Sequence, residues 1–410
     1  MEKLFKSLAL LFAISILGAC GSRETASQQV NVSVEEARVS REALTQDVLQ
    51  ENPPKEVPDA GSVQALAGSD RPRDTFYYAY TTLATQEEQQ IYREILDSLL
   101  HLEAETELSV TDTALLERVF GSVMADHPEI FYVDGYTSTV YRLGNAVSRL
   151  TFSGDYTLDQ EEIAKRCGML EDRLESWLEG VPEGNDYEKV KYLYDYLITH
   201  TEYKLGCTDS QNICSVLLNG ISVCQGYAKT FQLLCQRMHI PAYLVTGTTG
   251  GQGHAWNLVS VDGQWCYVDP TWGDASYRQE EDGYPQTAYP AVNYDYFCVT
   301  TQQISRTHEF KDGQMLPECT ATQNQYYRRE GLYLEEADPE RIKMIFDRAV
   351  QAGVDVVTFQ CADDSVYRQV YALLIEEQMI FSYLPGEGTK VAYAESEKQR
   401  TFSFWLEQEE

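Results

Sequence analysis

Positive charge is scarce in this 410-residue chain, where 32 lysines and arginines face 64 aspartates and glutamates for a formal net charge of −32. So acidic a protein repels phosphate backbones and anionic lipid headgroups, which excludes nucleic acid as a partner and leaves no electrostatic route to a membrane. No two of its ten cysteines stand at C-x-x-C spacing. No phosphate-binding loop or metal-binding helix motif occurs either, so neither a metal nor another cofactor is expected. Long apolar runs are missing too. The one conspicuous stretch, from Leu8 to Leu17, is too short to serve as an ordinary spanning helix. What the chain does have is 43% hydrophobic residues, enough for a sizeable core divided among two or three domains.

The first residues, MEKLFKSLALLFAISILGAC, place Lys3 and Lys6 ahead of the apolar run and small residues after it. This is the layout of a secretory signal peptide. Leu17, Gly18, Ala19 and Cys20 resemble the lipobox of bacterial lipoproteins. That resemblance implies removal of residues 1–19, lipidation of Cys20, and an exported protein held by lipid on the outer face of the cell membrane, or on an outer membrane where one exists. Nine cysteines remain after Cys20, and an odd number leaves at least one thiol free. Cys207 and Cys214 are near enough in sequence to pair.

Residues 20–73 are rich in Ser, Gln, Glu, Pro and Ala and read as a flexible tether. Residues 74–160 read as a small α+β domain, with a helix from about Thr85, a second ending near Asp126 at His127-Pro128, and two strands. Residues 161–315 open with helical patterns and continue into antiparallel strands. Residues 320–410 resume from about Gln325 as strand, helix, strand, helix and two strands, a small α/β sandwich. The fold class is therefore α+β.

Two local patterns carry chemistry. In SVCQGYAKTFQLLCQ, the positions Tyr227, Phe231, Leu234 and Met238 mark one buried face of an amphipathic helix, with Cys224 at its first turn. Helix N-termini favour a thiolate over a thiol. In GHAWNLVSVDGQWCYVDPTWG, Asp262-Gly263 predicts a tight hairpin that pairs Val261 with Gln264. Counting back puts His254 and Asp269 on one face as diagonal neighbours about 7 to 8 Å apart, within mutual side-chain reach. An aspartate so placed holds an imidazole in one tautomer and leaves its other nitrogen free to take a proton from a thiol. Glycines 247, 250, 251 and 253 give a flexible or close-packed approach to His254.

GISVCQGYAKTFQLL, GHAWNLV and WCYVDPTWGD, in this order, resemble the three motifs of the transglutaminase-like superfamily over about residues 185–275. The resemblance implies a papain-like core of helices on an antiparallel sheet, with Cys224 as nucleophile, His254 as general base and acid, and Asp269 as its orienting partner. It implies acyl transfer from peptide or protein amides through a thioester, resolved by water or by an amine. The Cys224 backbone N–H is one oxyanion donor. Gln225 and Tyr203 are candidates for a second, since no tryptophan lies between Trp177 and Cys224. Trp256 is a candidate pocket wall. The alternative is a noncatalytic binding or scaffold lipoprotein that retains the fold.

Overall fold

In the computed structural model, the residues described are 32–40, 76–143, 145–274, 291–354, 356–383 and 391–406. The signal peptide, Cys20 and most of the expected tether lie outside them. Within the tether stretch the structure forms a strand, β1 (Val32–Ser40), whose β-branched valines at 32, 34 and 39 suit extended backbone.

The first layer follows as helices α1 (Tyr78–Thr82), α2 (Gln86–Leu100) and α3 (Thr113–Asp126), and strands β2 (Thr106–Glu107), β3 (Val133–Leu143) and β4 (Ala146–Tyr156). Thr85 and Glu88 close a capping box at the start of α2, and Asp112 caps α3. The sheet order is β1-β3-β4-β2, with β1 antiparallel to β3 from Val32↔Leu143 to Ser40↔Gly135.

The middle of the chain contains α4 (Gln160–Leu178), α5 (Asp186–Thr199), β5 (Glu202–Tyr203), α6 (Ile213–Asn219), β6 (Ile221–Ser222) and α7 (Cys224–Arg237). Strands β7 (Ala242–Thr249), β8 (Gln252–Val261) and β9 (Gln264–Val268) follow, then α8 (Thr301–Ile304) and β10 (His308–Phe310). These strands form an antiparallel sheet in the order β10-β7-β8-β9. One apolar core runs without a break from Tyr77 through the helices to Phe297 and Cys298.

Helix α7 departs from the amphipathic expectation. Gln225 through Ala228 and Thr230 through Gln236 are all buried, so the helix has no solvent face of its own. Its polar residues are accommodated by specific partners. Gln232 Nε2 donates to the Ala125 carbonyl at 2.8 Å and Gln236 Nε2 to the Asp126 carbonyl at 2.9 Å, carbonyls that a helix C-terminus leaves without internal donors.

After residue 320 come α9 (Tyr326–Arg329), β11 (Tyr333–Leu334), α10 (Pro339–Ala352), β12 (Val356–Cys361), α11 (Asp364–Tyr371), β13 (Val391–Ser396) and β14 (Thr401–Leu406). The expected strand near Gln325 is a short helix, and the strand that follows is only two residues long. The sheet order is β11-β12-β14-β13 around a separate core that includes Phe346, Phe359, Phe402 and Phe404. Polar contacts join it to the middle of the chain: Tyr327 and Thr401 donate their hydroxyls to Asp295, and Asn324 Nδ2 donates to the Val261 carbonyl. Among the described residues, no helix is long and apolar enough to cross a membrane.

Candidate active site

The hairpin that sets the site has the expected register. Asp262 and Gly263 take φ of 50° and 76°, and the ladder runs from Val261↔Gln264 to Asn257↔Val268. After Val268 the chain leaves β8, and the Asp269 N–H donates to the Tyr296 carbonyl. The two side chains still meet, with His254 Nε2 lying 2.8 Å from Asp269 Oδ2.

Cys224 begins α7 after Val223, whose side chain makes no capping bond. Two residues on, a Cβ on Gly226 would lie 2.0 Å from Ser222 Oγ and 2.8 Å from Ser215 Oγ, and these hydroxyls are themselves 2.6 Å apart. The glycine therefore lets the serine pair pack directly beneath the turn that carries the thiol. Gly226→Ala is expected to cost about 1–3 kcal/mol of overpacking, which outweighs the ~1 kcal/mol gain in helix propensity. A lower melting temperature together with slower alkylation of Cys224 would be the signature.

The half-buried Cys224 thiol lies in hydrogen-bonding reach of His254. Because Nε2 faces Asp269, Nδ1 is the ring nitrogen left for the sulfur. Burial alone lowers the pKa of the His254 ring. The Asp269 charge and hydrogen bond, with a further contribution from Cys224, reverse this and push it up to about 10. Asp269 is fully buried, which by itself raises its pKa, yet the charge and hydrogen bond of His254, with help from His308, hold it well below the usual carboxylate range. The site is a row of thiol, imidazole held protonated, and ionised carboxylate.

All nine cysteines after Cys20 are free thiols. Cys207 and Cys214 do not pair: Cys214 faces the core, whereas the partly exposed Cys207 has its thiol 3.6 Å from the Ile221 carbonyl. Burial pushes the thiols of Cys167, Cys214, Cys319 and Cys361 up to about 12. Cys207 and Cys224 are the two that are not fully buried.

Of the other expected site residues, Gln225 is buried in the first turn of α7. Tyr203 sits in β5 opposite Ser222, its ring 6.3 Å from that of Tyr227. Trp256 is completely buried behind the histidine, stacked 5.9 Å from the His254 ring, so it walls the imidazole from within the core.

No sequence pattern points to His308. Its Nε2 lies 2.9 Å from the same Asp269 oxygen that meets His254. Residue 308 stands 39 positions beyond Asp269, and only the pairing of β10 with β7, on whose other edge β8 lies, brings it there. His254, Asp269 and His308 offer donor atoms within 4.8 Å of one another, the one such group among the described residues that could hold a metal ion. Two hydrogen bonds into a single carboxylate oxygen already account for that closeness.

A papain-like arrangement of a helix-start cysteine against an antiparallel sheet bearing histidine and aspartate belongs to the class of cysteine peptidases and acyltransferases. Residues 175–270 match the family model for the transglutaminase-like superfamily, and this part of the chain is a transglutaminase-like domain. Over 105 residues it is 28% identical to kyphoscoliosis peptidase of Homo sapiens, a match covering 22% of this chain and 16% of that protein. The same peptidase of Mus musculus is 27% identical over 106 residues, covering 22% and 16%. The chain thus spans about a sixth of the length of these relatives. Among solved structures, it is similar to a TGase at 18% identity and a TM-score of 0.25, covering 31% of this chain and 42% of the other. The periplasmic domain of TgpA from Pseudomonas aeruginosa, solved with ethylmercury bound, is similar at 14% identity and a TM-score of 0.22, covering 34% and 72%.

Proposed function

We propose that this protein is a cysteine hydrolase of peptide or protein amides, exported and held by lipid at Cys20. The observation that carries the reading is that the His254 ring lies between the Cys224 thiol at the start of α7 and the buried Asp269 carboxylate, 2.8 Å from its Nε2, whose charge favours the protonated ring. Such a ring stabilises a neighbouring thiolate. The Cys224 sulfur attacks the amide carbonyl, the imidazolium donates its proton to the departing amine, and a thioester remains. Water then attacks the thioester, His254 takes up its proton, and the carboxylic acid leaves as the thiolate and imidazolium are restored. The N–H of Cys224 faces the oxyanion from the helix start, and Gln225 or Tyr203 supplies the second donor. With the proton donor titrating at about 10, turnover is expected to decline as pH rises through that value.

The test incubates the purified chain with a peptide library and an added primary amine, read by mass spectrometry. Cleaved or deamidated products that vanish in Cys224→Ala support hydrolysis. Products carrying the amine would make the protein an acyltransferase. No product in either arm, with wild type behaving as Cys224→Ala, would sink the enzymatic reading.

A further inference from the structure

Asp269 is enclosed at zero exposure, so every lone pair of its carboxylate must find a protein donor. Oδ1 accepts from the backbone N–H groups of Thr271 at 2.9 Å and Trp272 at 3.2 Å. Oδ2 accepts from His254 at 2.8 Å and His308 at 2.9 Å. Four donors surround two oxygens.

His308 is built to give its hydrogen bond in one direction. Its Nε2 faces an ionised carboxylate, which can only accept and so keeps a proton on that nitrogen, while its Nδ1 is 2.8 Å from Thr307 Oγ1. Burial, opposed by the Asp269 hydrogen bond and charge and reinforced by the nearby His254, lowers its pKa below the usual histidine range. Rings of Trp256, Trp272 and Tyr296 stand 4.9, 5.0 and 5.5 Å from it and fix its plane. A neutral donor of this kind adds no second positive charge that would compete with the imidazolium for the carboxylate.

We propose that His308 is a positioning residue of the reaction, whose Nε2–H locks the Asp269 carboxylate in the one orientation that holds His254 toward Cys224. This rests on the cysteine-hydrolase reading above. His308 does not touch substrate, and its effect passes through Asp269 and His254.

The test has two parts, both on the full chain. First, long-range 1H–15N spectra of wild type at neutral pH are expected to show His308 with a proton on Nε2. A ring protonated on Nδ1 alone would overturn the proposal, whatever the protein's activity. Second, Cys224 alkylation by iodoacetamide is followed site by site in wild type, His254→Ala, His308→Phe and His308→Gln. His308→Phe keeps the volume without the donor and is expected to slow alkylation about 10- to 100-fold, the usual cost of losing an outer partner. His308→Gln keeps an N–H near the same place and is expected to recover most of the rate. A bulk packing role would show equal losses in both variants at equal melting temperatures, and that result overturns the proposal. So does a His308→Phe rate equal to wild type while His254→Ala is slow. If wild type and His254→Ala alkylate alike, the hydrolase reading itself fails, a pattern distinct from the others.

Discussion

Asp269→Asn is expected to slow acylation of Cys224 by about 10⁴-fold while leaving the protein folded, the scale of loss that follows when a triad imidazole is held in the wrong tautomer. The asparagine keeps its oxygen where Oδ1 now accepts from Thr271 and Trp272, because those backbone N–H groups cannot move. Its NH₂ group then confronts the Nε2–H of both His254 and His308, which now share Oδ2. Without the carboxylate's charge His254 is no longer held doubly protonated, and each ring avoids donors facing donors by keeping its one proton on Nδ1. For His254 that nitrogen faces the sulfur, so the imidazolium that stabilised the thiolate gives way to a neutral ring that presents no acceptor to the thiol. The double tautomer change is visible in 15N spectra, and single-turnover kinetics with a peptide substrate measure the loss. A variant that turns over within tenfold of wild type would show that Asp269 does not orient the ring.

Asp126→Ala is expected to give the largest loss of stability, about 3 kcal/mol near pH 4, at one to three kcal/mol for each buried donor left unpaired. The carboxyl is fully buried and accepts from the N–H groups of Ala79 at 2.9 Å and Tyr80 at 2.8 Å and from the Tyr92 hydroxyl at 3.0 Å. Burial pushes its pKa up to about 6, against the lowering effect of His127 and these hydrogen bonds. A folded-state value above the unfolded one means that the protonated form is the stabilising one. Its contribution is complete below about pH 4 and is lost as pH rises through about 6. The penalty of the substitution therefore shrinks over that window, and chemical denaturation at pH 4, 5, 6 and 7 would show it. A penalty that grows with pH would mean that the anion is the better-solvated form in this cavity.

Much of the site is legible in the sequence because its geometry is local. Asp262-Gly263 fixes the β8–β9 register, and that register leads His254 and Asp269 toward one another although the ladder itself ends at Asn257↔Val268. A helix start likewise announces Cys224. His308 is not legible in this way, because no periodicity connects a three-residue strand to a carboxylate 39 positions earlier. The amphipathic reading of α7 fails for a related reason. Gln232 and Gln236 look like surface residues until the end of α3 supplies carbonyls for them, and that packing is a tertiary fact. Val32–Ser40 carries a strand-like pattern within a polar stretch, and its partner is a strand about a hundred residues away.

The burial of α7 along nearly its whole length has a mechanical meaning. A nucleophile on a loop can be aimed or retracted by motions of a few residues, but Cys224 rides on a helix clamped by the sheet on one side and by the end of α3 on another. Such a helix cannot tilt without breaking the core, so the thiol is a fixed point. Any opening or closing that substrate binding requires must come from the segments around it, and loss of the aimed thiol on heating becomes the same event as melting of the core.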